Sequence, residues 1–199
     1  GTPAEVFVQD ELPYAQEGKH WYSHETDLLR LLILYKFGGI YLDIDMIVVR
    51  ELHELPANIL GWESGSNLNG AFLKFKKHHP YLRTCIKQFS EHYSQAWSDN
   101  GPLLLSRVWR KWSAANPRND VITVTKTAFY MFFYRKIQAQ CFEETSGPAF
   151  RMNWSTLQSQ AYAVHLYSKI TAGYNRNIKN GTLCKHILNK FCVLCNKDY

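Results

Sequence analysis

Two aspartates interrupt an apolar run, Ile40-Tyr41-Leu42-Asp43-Ile44-Asp45-Met46-Ile47-Val48-Val49. If the run is a single strand, its two-residue period sends both carboxylates to the same face. Like charges so close to a core repel each other and lose hydration, a cost of several kcal/mol unless a partner compensates. Asp43 and Asp45 are therefore candidate ligands for a divalent cation, because oxygen donors suit Mg2+ or Mn2+. The bland alternative ends the strand at Asp43 and leaves both acids in a solvated turn. The apolar residues from Met46 to Val49, continuing past the pair, argue for the metal site.

Asp27 and Arg30 form a second constellation. Three residues apart in a helical pattern, they share a face. Such a pair is most often a surface ion pair of little energetic weight. Its setting in a leucine-rich helix points to partial burial, where it could grip a polyhydroxylated or phosphorylated ligand.

The elements that position these residues follow from pattern. Thr2-Pro3-Ala4-Glu5 has the form of a capping box, so a short helix is expected to start there. Asp10 to Trp21, with Pro13 and Gly18, reads as a loop. Ser23 caps a helix in which Leu28, Leu31, Leu32 and Tyr35 recur at helical spacing, and Gly38-Gly39 stop it. The run from Ile40 to Val49 then reads as a strand buried on both faces. Further strands are expected at 59–62, 70–76, 121–125 and 162–167, and helices at 81–93, 101–112 and 182–191. The mixed order predicts an α/β fold with helices packed around a sheet.

The 199 residues suffice for one domain, and 46% hydrophobic content marks a globular chain. The net charge of +6 comes from scattered lysines and arginines. No basic stripe with interleaved aromatics runs along the chain, which argues against a nucleic-acid groove. No apolar run approaches the ~20 residues of a membrane span; the longest, Leu28 to Tyr35, contains Arg30. The chain opens Gly1-Thr2-Pro3 without a basic, apolar leader, so the expectation is a cytosolic protein or a targeting segment outside this chain. Of five cysteines, Cys85 and Cys141 stand alone while Cys184, Cys192 and Cys195 crowd the C-terminus. Three readings stay open: a zinc site of Cys184, His186, Cys192 and Cys195, a disulfide, or plain buried thiols. Two sequons, Asn153-Trp154-Ser155 and Asn180-Gly181-Thr182, have meaning in a secreted chain. Trp97, Trp109, Trp112 and Trp154 are core residues by default and a sugar-stacking or lipid-facing surface as the alternative.

Taken together, Asp27-Leu28-Leu29-Arg30, Phe37-Gly38-Gly39-Ile40-Tyr41-Leu42 and Asp43-Ile44-Asp45 resemble the DXD sugar-binding region of family 32 glycosyltransferases. The likeness continues through Leu68-Asn69-Gly70-Ala71-Phe72-Leu73 and Asn100-Gly101-Pro102-Leu103-Leu104-Leu105-Ser106-Arg107-Val108. It returns at Ala128-Phe129-Tyr130 and at Ala161-Tyr162-Ala163-Val164-His165-Leu166-Tyr167, covering most of residues 23–169 in order. The resemblance is to the branch that makes α-1,4 linkages with galactose or N-acetylglucosamine.

That resemblance implies a GT-A type α/β domain, a Rossmann-like mixed sheet flanked by helices, without the N-terminal part of the nucleotide-binding half. Residues 1–199 are expected to form a single catalytic domain, with 1–80 on the donor side and 81–199 on the acceptor side. It further implies Mn2+ (or Mg2+), a UDP-sugar donor and a glycolipid or glycan acceptor. The setting would be the lumenal face of the Golgi membrane, anchored as a type II protein by a segment absent from this chain. By carry-over, Asp45 ligates the metal, Asp43 bridges to the metal, ribose or sugar, and His165 is the third metal ligand. Without the family, His165 reads as a satisfied core histidine. Asp27, Arg30, Tyr41, Asp43 and Asn69 form the donor-binding set, and Asn100 is expected near the anomeric carbon. Asp43, Asp45 and Asn100 are thus the catalytic candidates. The family retains anomeric configuration, and since the pattern places no nucleophile for double displacement, same-face attack by the acceptor hydroxyl is expected. Asp99-Asn100 stands where relatives carry His-Gln, and Tyr167 where tryptophan is usual. The rival readings are a Mg2+-dependent phosphohydrolase, which would lack the Asp-x-x-Arg helix, and a catalytically inactive glycan-binding fragment.

Overall fold

The computed structural model describes residues 2–5, 7–175 and 178–191. In chain order a π-helical turn, Phe7–Glu11, leads into α1 (Leu12–Gln16), followed by α2 (Trp21–Phe37), β1 (Gly39–Leu42), β2 (Met46–Val48), β3 (Ile59–Trp62) and β4 (Leu68–Phe75). Then come α3 (Pro80–Glu91), α4 (Pro102–Ala115), β5 (Ile122–Val124), α5 (Pro148–Gln160), β6 (Ala163–His165), α6 (Ser168–Asn175) and α7 (Leu183–Phe191). The chain divides into two compact units interleaved in sequence: Gly1–Leu42 with Leu55–Val124, and Asp43–Glu54 with Thr125–Tyr199. A boundary at residue 80 falls inside the first unit.

In the first unit, the expected loop over Asp10–Trp21 is largely helix. Pro13 sits in the first turn of α1, where its missing N–H costs nothing, so it starts a helix here and does not break one. Phe7 is fully buried, with its ring edge-on to Phe89 at 5.3 Å. The helix α2 begins at Trp21, two residues ahead of the expected Ser23 cap, and buries Trp21, His24, Leu28, Arg30, Leu31 and Leu34. It ends as expected: the Gly38 N–H donates to the Leu34 carbonyl at 2.8 Å, with φ of 70° at Gly38 and 102° at Gly39. Gly38 is required twice over, since a Cβ there would lie 2.7 Å from the Lys77 nitrogen.

The four-stranded sheet of this unit has the order β1-β4-β3-β5. Strand β4 is antiparallel to both neighbours, and β3 and β5 are parallel, so the expected mixed sheet flanked by helices is present. Helices α2 and α4 pack on β4 and α3 packs between them, enclosing Leu28, Leu31, Leu34, Leu73, Phe75 and Tyr81. Each such side chain contributes roughly 1.5–3 kcal/mol on burial.

The long strand expected from Ile40 to Val49 is corrected. It stops at Leu42, and Asp43-Ile44-Asp45 form a turn closed by the Met46 N–H on the Asp43 carbonyl at 3.1 Å. Nor is β1 buried on both faces: it is an edge strand, with Ile40 exposed. The apolar residues after Asp45 belong to β2 and to the core of the second unit, so one hydrophobic run serves two cores.

In the second unit β2 pairs antiparallel with β6, Met46 opposite His165. Around this ribbon Phe132, Ile137, Phe142, Leu157, Val164, Leu183 and Ile187 form a separate core. Helices α5 and α6 had no clear sequence signature. Helix α5 fully buries Leu157 alone, so its apolar stripe is too thin to read, and α6 spans eight residues including Gly173. Cys141 and Cys184 form a disulfide across 43 residues, worth about 4 kcal/mol by loop entropy. With Cys184 so bonded, the zinc reading is corrected; its other cysteines, Cys192 and Cys195, lie outside the described residues. Cys85 is a buried free thiol. Among the described residues no helix is long and apolar enough to cross a membrane.

Candidate functional site

The turn after β1 and the end of β6 bring three ligand-type side chains together. Oxygens of Asp43 and Asp45 and a ring nitrogen of His165 all lie within 4.8 Å of one another. The pairing of Met46 with His165 positions the histidine beside the turn, and the Leu166 N–H donates to the Asp45 carbonyl at 3.0 Å. The Asp45 carboxylate is held at both oxygens: Ser168 N–H, the first of α6, donates to Oδ2 at 2.7 Å, and His165 Nε2 lies 3.3 Å from Oδ1. A carboxylate at a helix N-terminus is favoured by the helix dipole. Burial alone raises the Asp45 pKa, but the hydrogen bonds from His165 and Ser168 outweigh it and lower it to about 2. Asp45 is therefore anionic throughout the physiological range.

Whether these residues fit a cation is tested by His165. Its backbone N–H donates to Phe129, and its ring packs against Tyr130 and Tyr167. The side chain is 9% exposed, yet Nδ1 is buried without a hydrogen-bond partner. An orphaned buried polar atom costs ~1–3 kcal/mol, and His24 in the first unit carries the same feature at Nε2, so the orphaned nitrogen by itself does not set a ligand apart from a core histidine. Nε2 of His165 is the nitrogen that faces the carboxylates, and two carboxylates with one imidazole nitrogen form a donor set that suits a divalent cation. A second trio, Glu51, His53 and Glu54, also gathers ligand-type atoms, but all three are exposed, as surface acids commonly are without any metal.

Asp27 and Arg30 stand in the first unit. They form an ion pair at 3.3 Å with side chains 13% and 10% exposed, so the surface-pair alternative is excluded. Arg30 Nε donates to the Thr26 carbonyl at 3.1 Å, and the guanidinium lies over the Tyr41 ring at 4.9 Å. Two glycines make room for the pair. A Cβ on Gly70 would lie 2.9 Å from Arg30 Nη1, and one on Gly101 would lie 2.7 Å from Asp27 Cγ. Sequence reasoning missed both glycines as site residues. The signal was present, because each directly follows an asparagine already singled out, in Asn69-Gly70 and Asn100-Gly101.

The asparagines themselves are engaged within the fold. Asn69 Oδ1 accepts from the Ala71 N–H at 2.8 Å and Nδ2 donates to Glu63 at 3.1 Å, at the place where the β3–β4 register shifts. Asn100 is buried, with Oδ1 accepting from the Ser94 N–H and Nδ2 donating to the Ser94 carbonyl. The amide oxygen expected beside the anomeric carbon thus turns to the loop after α3, which gives Asn100 the geometry of a loop clamp. Of the tryptophans, Trp109 and Trp112 pack on the core of the first unit and Trp154 on that of the second. Trp97 is exposed and edge-on to His20 at 5.1 Å.

Comparison with known proteins bears on both constellations. Residues 5–62 match a family model described as a glycosyltransferase sugar-binding region containing a DXD motif. Residues 74–199 match a second, described as an alpha 1,4-glycosyltransferase conserved region. Human lactosylceramide 4-alpha-galactosyltransferase is 34% identical over 174 residues, covering 84% of this chain and 48% of the relative. Human alpha-1,4-N-acetylglucosaminyltransferase is 27% identical over 194 residues, covering 92% of this chain and 54% of the relative. The chain thus spans about half the length of these relatives. A solved structure titled PaToxG Glycosyltransferase matches at 22% identity and a TM-score of 0.43, covering 56% of this chain and 45% of its own.

Proposed function

Since the chain belongs to the alpha-1,4-glycosyltransferase family, we propose that it is the DXD-bearing part of a GT-A type enzyme. This enzyme transfers galactose, or N-acetylglucosamine, from a UDP-sugar to a glycolipid or glycan terminus. The linkage formed is α-1,4, with retention at the anomeric carbon. The observation that carries this reading is the gathering of Asp43 and Asp45 oxygens and a His165 ring nitrogen within 4.8 Å of one another, with both aspartates in the segment that matches the DXD sugar-binding family model.

Asp43, Asp45 and His165 would hold the metal, Mn2+ or Mg2+. When bound, it would supply positive charge to the diphosphate leaving group. Every other part falls to the chain's own residues. Asp45, kept anionic by its hydrogen bonds, is ready to ligate without first losing a proton. Asp27 accepts from, and Arg30 donates to, hydroxyls of the donor sugar. Their ion pair and the Tyr41 ring hold both in one arrangement, so little orientation is lost on binding. Asn69 and Asn100 act as positioning residues for β4 and for the loop before α4. The acceptor hydroxyl attacks on the face the diphosphate leaves, since no carboxylate is assigned as a nucleophile. The disulfide fits the lumenal side of the Golgi membrane.

Calorimetric titration of UDP-galactose and UDP-N-acetylglucosamine, with and without Mn2+, tests the reading. Binding that requires metal and disappears in Asp45→Asn is the expected result. Equal binding by the two proteins, or binding indifferent to metal, would refute it.

A further inference from the structure

The two sequons differ sharply in structural setting. Asn153 lies within α5, half-buried, with Nδ2 donating to Glu144 Oε2 at 3.3 Å. The ring of its neighbour Trp154 is covered by the Lys190 ammonium at 5.1 Å. A glycan on Asn153 Nδ2 would occupy the space in which that amide meets Glu144. Asn180 lies instead in an exposed turn ahead of α7, followed by Gly181 at φ 82°. Substitution at Asn180 Nδ2 asks nothing of either core.

The third sequon residue supplies an order of events. Thr182 is fully buried. Its hydroxyl donates to the Lys179 carbonyl at 2.8 Å and accepts from the Lys185 N–H at 3.3 Å, which is the N-cap of α7. In the folded protein this hydroxyl is unavailable to an enzyme that must read it. Two residues further on, Cys184 is bonded to Cys141, and disulfides form in the oxidising compartments where Asn-x-Ser/Thr segments are glycosylated.

We propose that Asn180 is an N-glycosylation site, that Asn153 is not, and that Asn180 is modified before α7 is capped. The donor is an oligosaccharide linked through diphosphate to a lipid. Asn180 Nδ2 forms a bond to its anomeric carbon, the bond from that carbon to the diphosphate oxygen breaks, the lipid diphosphate leaves, and the amide loses one proton. This inference requires entry into the secretory compartment and does not depend on the transferase reading.

The test is secretion of the chain from mammalian cells behind a cleavable signal. Peptide-N-glycosidase digestion and peptide mass spectrometry then follow on wild type, Asn180→Gln, Asn153→Gln and Thr182→Ser. One electrophoretic step is expected in wild type, Asn153→Gln and Thr182→Ser, and none in Asn180→Gln, with conversion of Asn180 to Asp on deglycosylation. Secreted protein lacking a glycan at Asn180, or carrying one at Asn153, overturns the assignment. For the order of events, unglycosylated protein is offered to microsomal oligosaccharyltransferase either native or reduced and unfolded. Modification of the unfolded form alone is expected, and modification of the native form overturns the order. Asn180→Gln should keep metal-dependent donor binding, so a failure of the transferase reading is scored separately.

Discussion

Gly101→Ala isolates how the Asp27–Arg30 pair is held. The added Cβ would lie 2.7 Å from Asp27 Cγ and 2.8 Å from Oδ1, where ordinary contact begins near 3.4 Å. The carboxylate must therefore move by about 0.7 Å or more. It cannot move freely, because Arg30 holds it at 3.3 Å in a site about nine-tenths buried. Glycine's left-handed freedom is not the issue, since φ is −112° at this position. Overpacking of this kind costs about 1–3 kcal/mol. For a chain of this size that lowers Tm by roughly 2–4 °C per kcal/mol. If Asp27 binds donor hydroxyls, a displacement approaching 1 Å also lowers donor-sugar hydrolysis by as much as ~100-fold. Chemical denaturation and a hydrolysis assay on Gly101→Ala read both effects, with Gly65→Ala as control, since a Cβ at 65 meets nothing within 4 Å. In an Asp27→Ala background the penalty of Gly101→Ala should shrink toward zero, a coupling of ~1 kcal/mol or more. An undiminished penalty in that background would refute the contact as its cause. Unchanged stability in the single variant would refute the geometry itself.

The remaining predictions concern the metal cluster, the buried thiol and the disulfide. His165→Ala should abolish any rise in Tm produced by Mn2+, while His186→Ala, outside the cluster, should retain it; thermal scans with and without metal decide. Burial pushes the Cys85 thiol up to about 12, against the opposing effects of Tyr81 and Arg107. The folded state thus holds this proton more tightly than the unfolded chain. The corresponding stability is intact below pH ~8.5 and declines as pH rises toward 12. Cys85→Ala should remove that slope in denaturation curves taken from pH 8 to 10, and native Cys85 should resist iodoacetamide until the protein unfolds. Cys141→Ser should lower stability by about 4 kcal/mol on the loop-entropy estimate, and a loss below ~1 kcal/mol would show that the denatured chain gains little freedom from the break.

Local chemistry was legible in the sequence wherever one segment decides its own conformation. The Gly38-Gly39 stop, the strands at 59–62 and 122–124 and the helices beginning at Pro80 and Pro102 depend on neighbouring residues, and they stand within a few positions of expectation. So does the Asp27–Arg30 pair, because helical spacing alone places two side chains on one face. Segments with a thin apolar stripe, such as α5, gave no period to read, and Pro13 looked like a breaker because its place within a helix is not a local property. What tertiary structure alone decided was where each segment finds its partner. The apolar run around Asp43 and Asp45 has the composition of one strand. It breaks because its first half pairs with β4 in one core and its second half with β6 in another. That same pairing brings His165 to Asp45 from 120 positions away in the chain. The empty space that Gly70 and Gly101 leave for a buried ion pair, and the choice of Cys141 as the partner of Cys184, likewise depend on distances between segments, which periodicity and propensity do not encode.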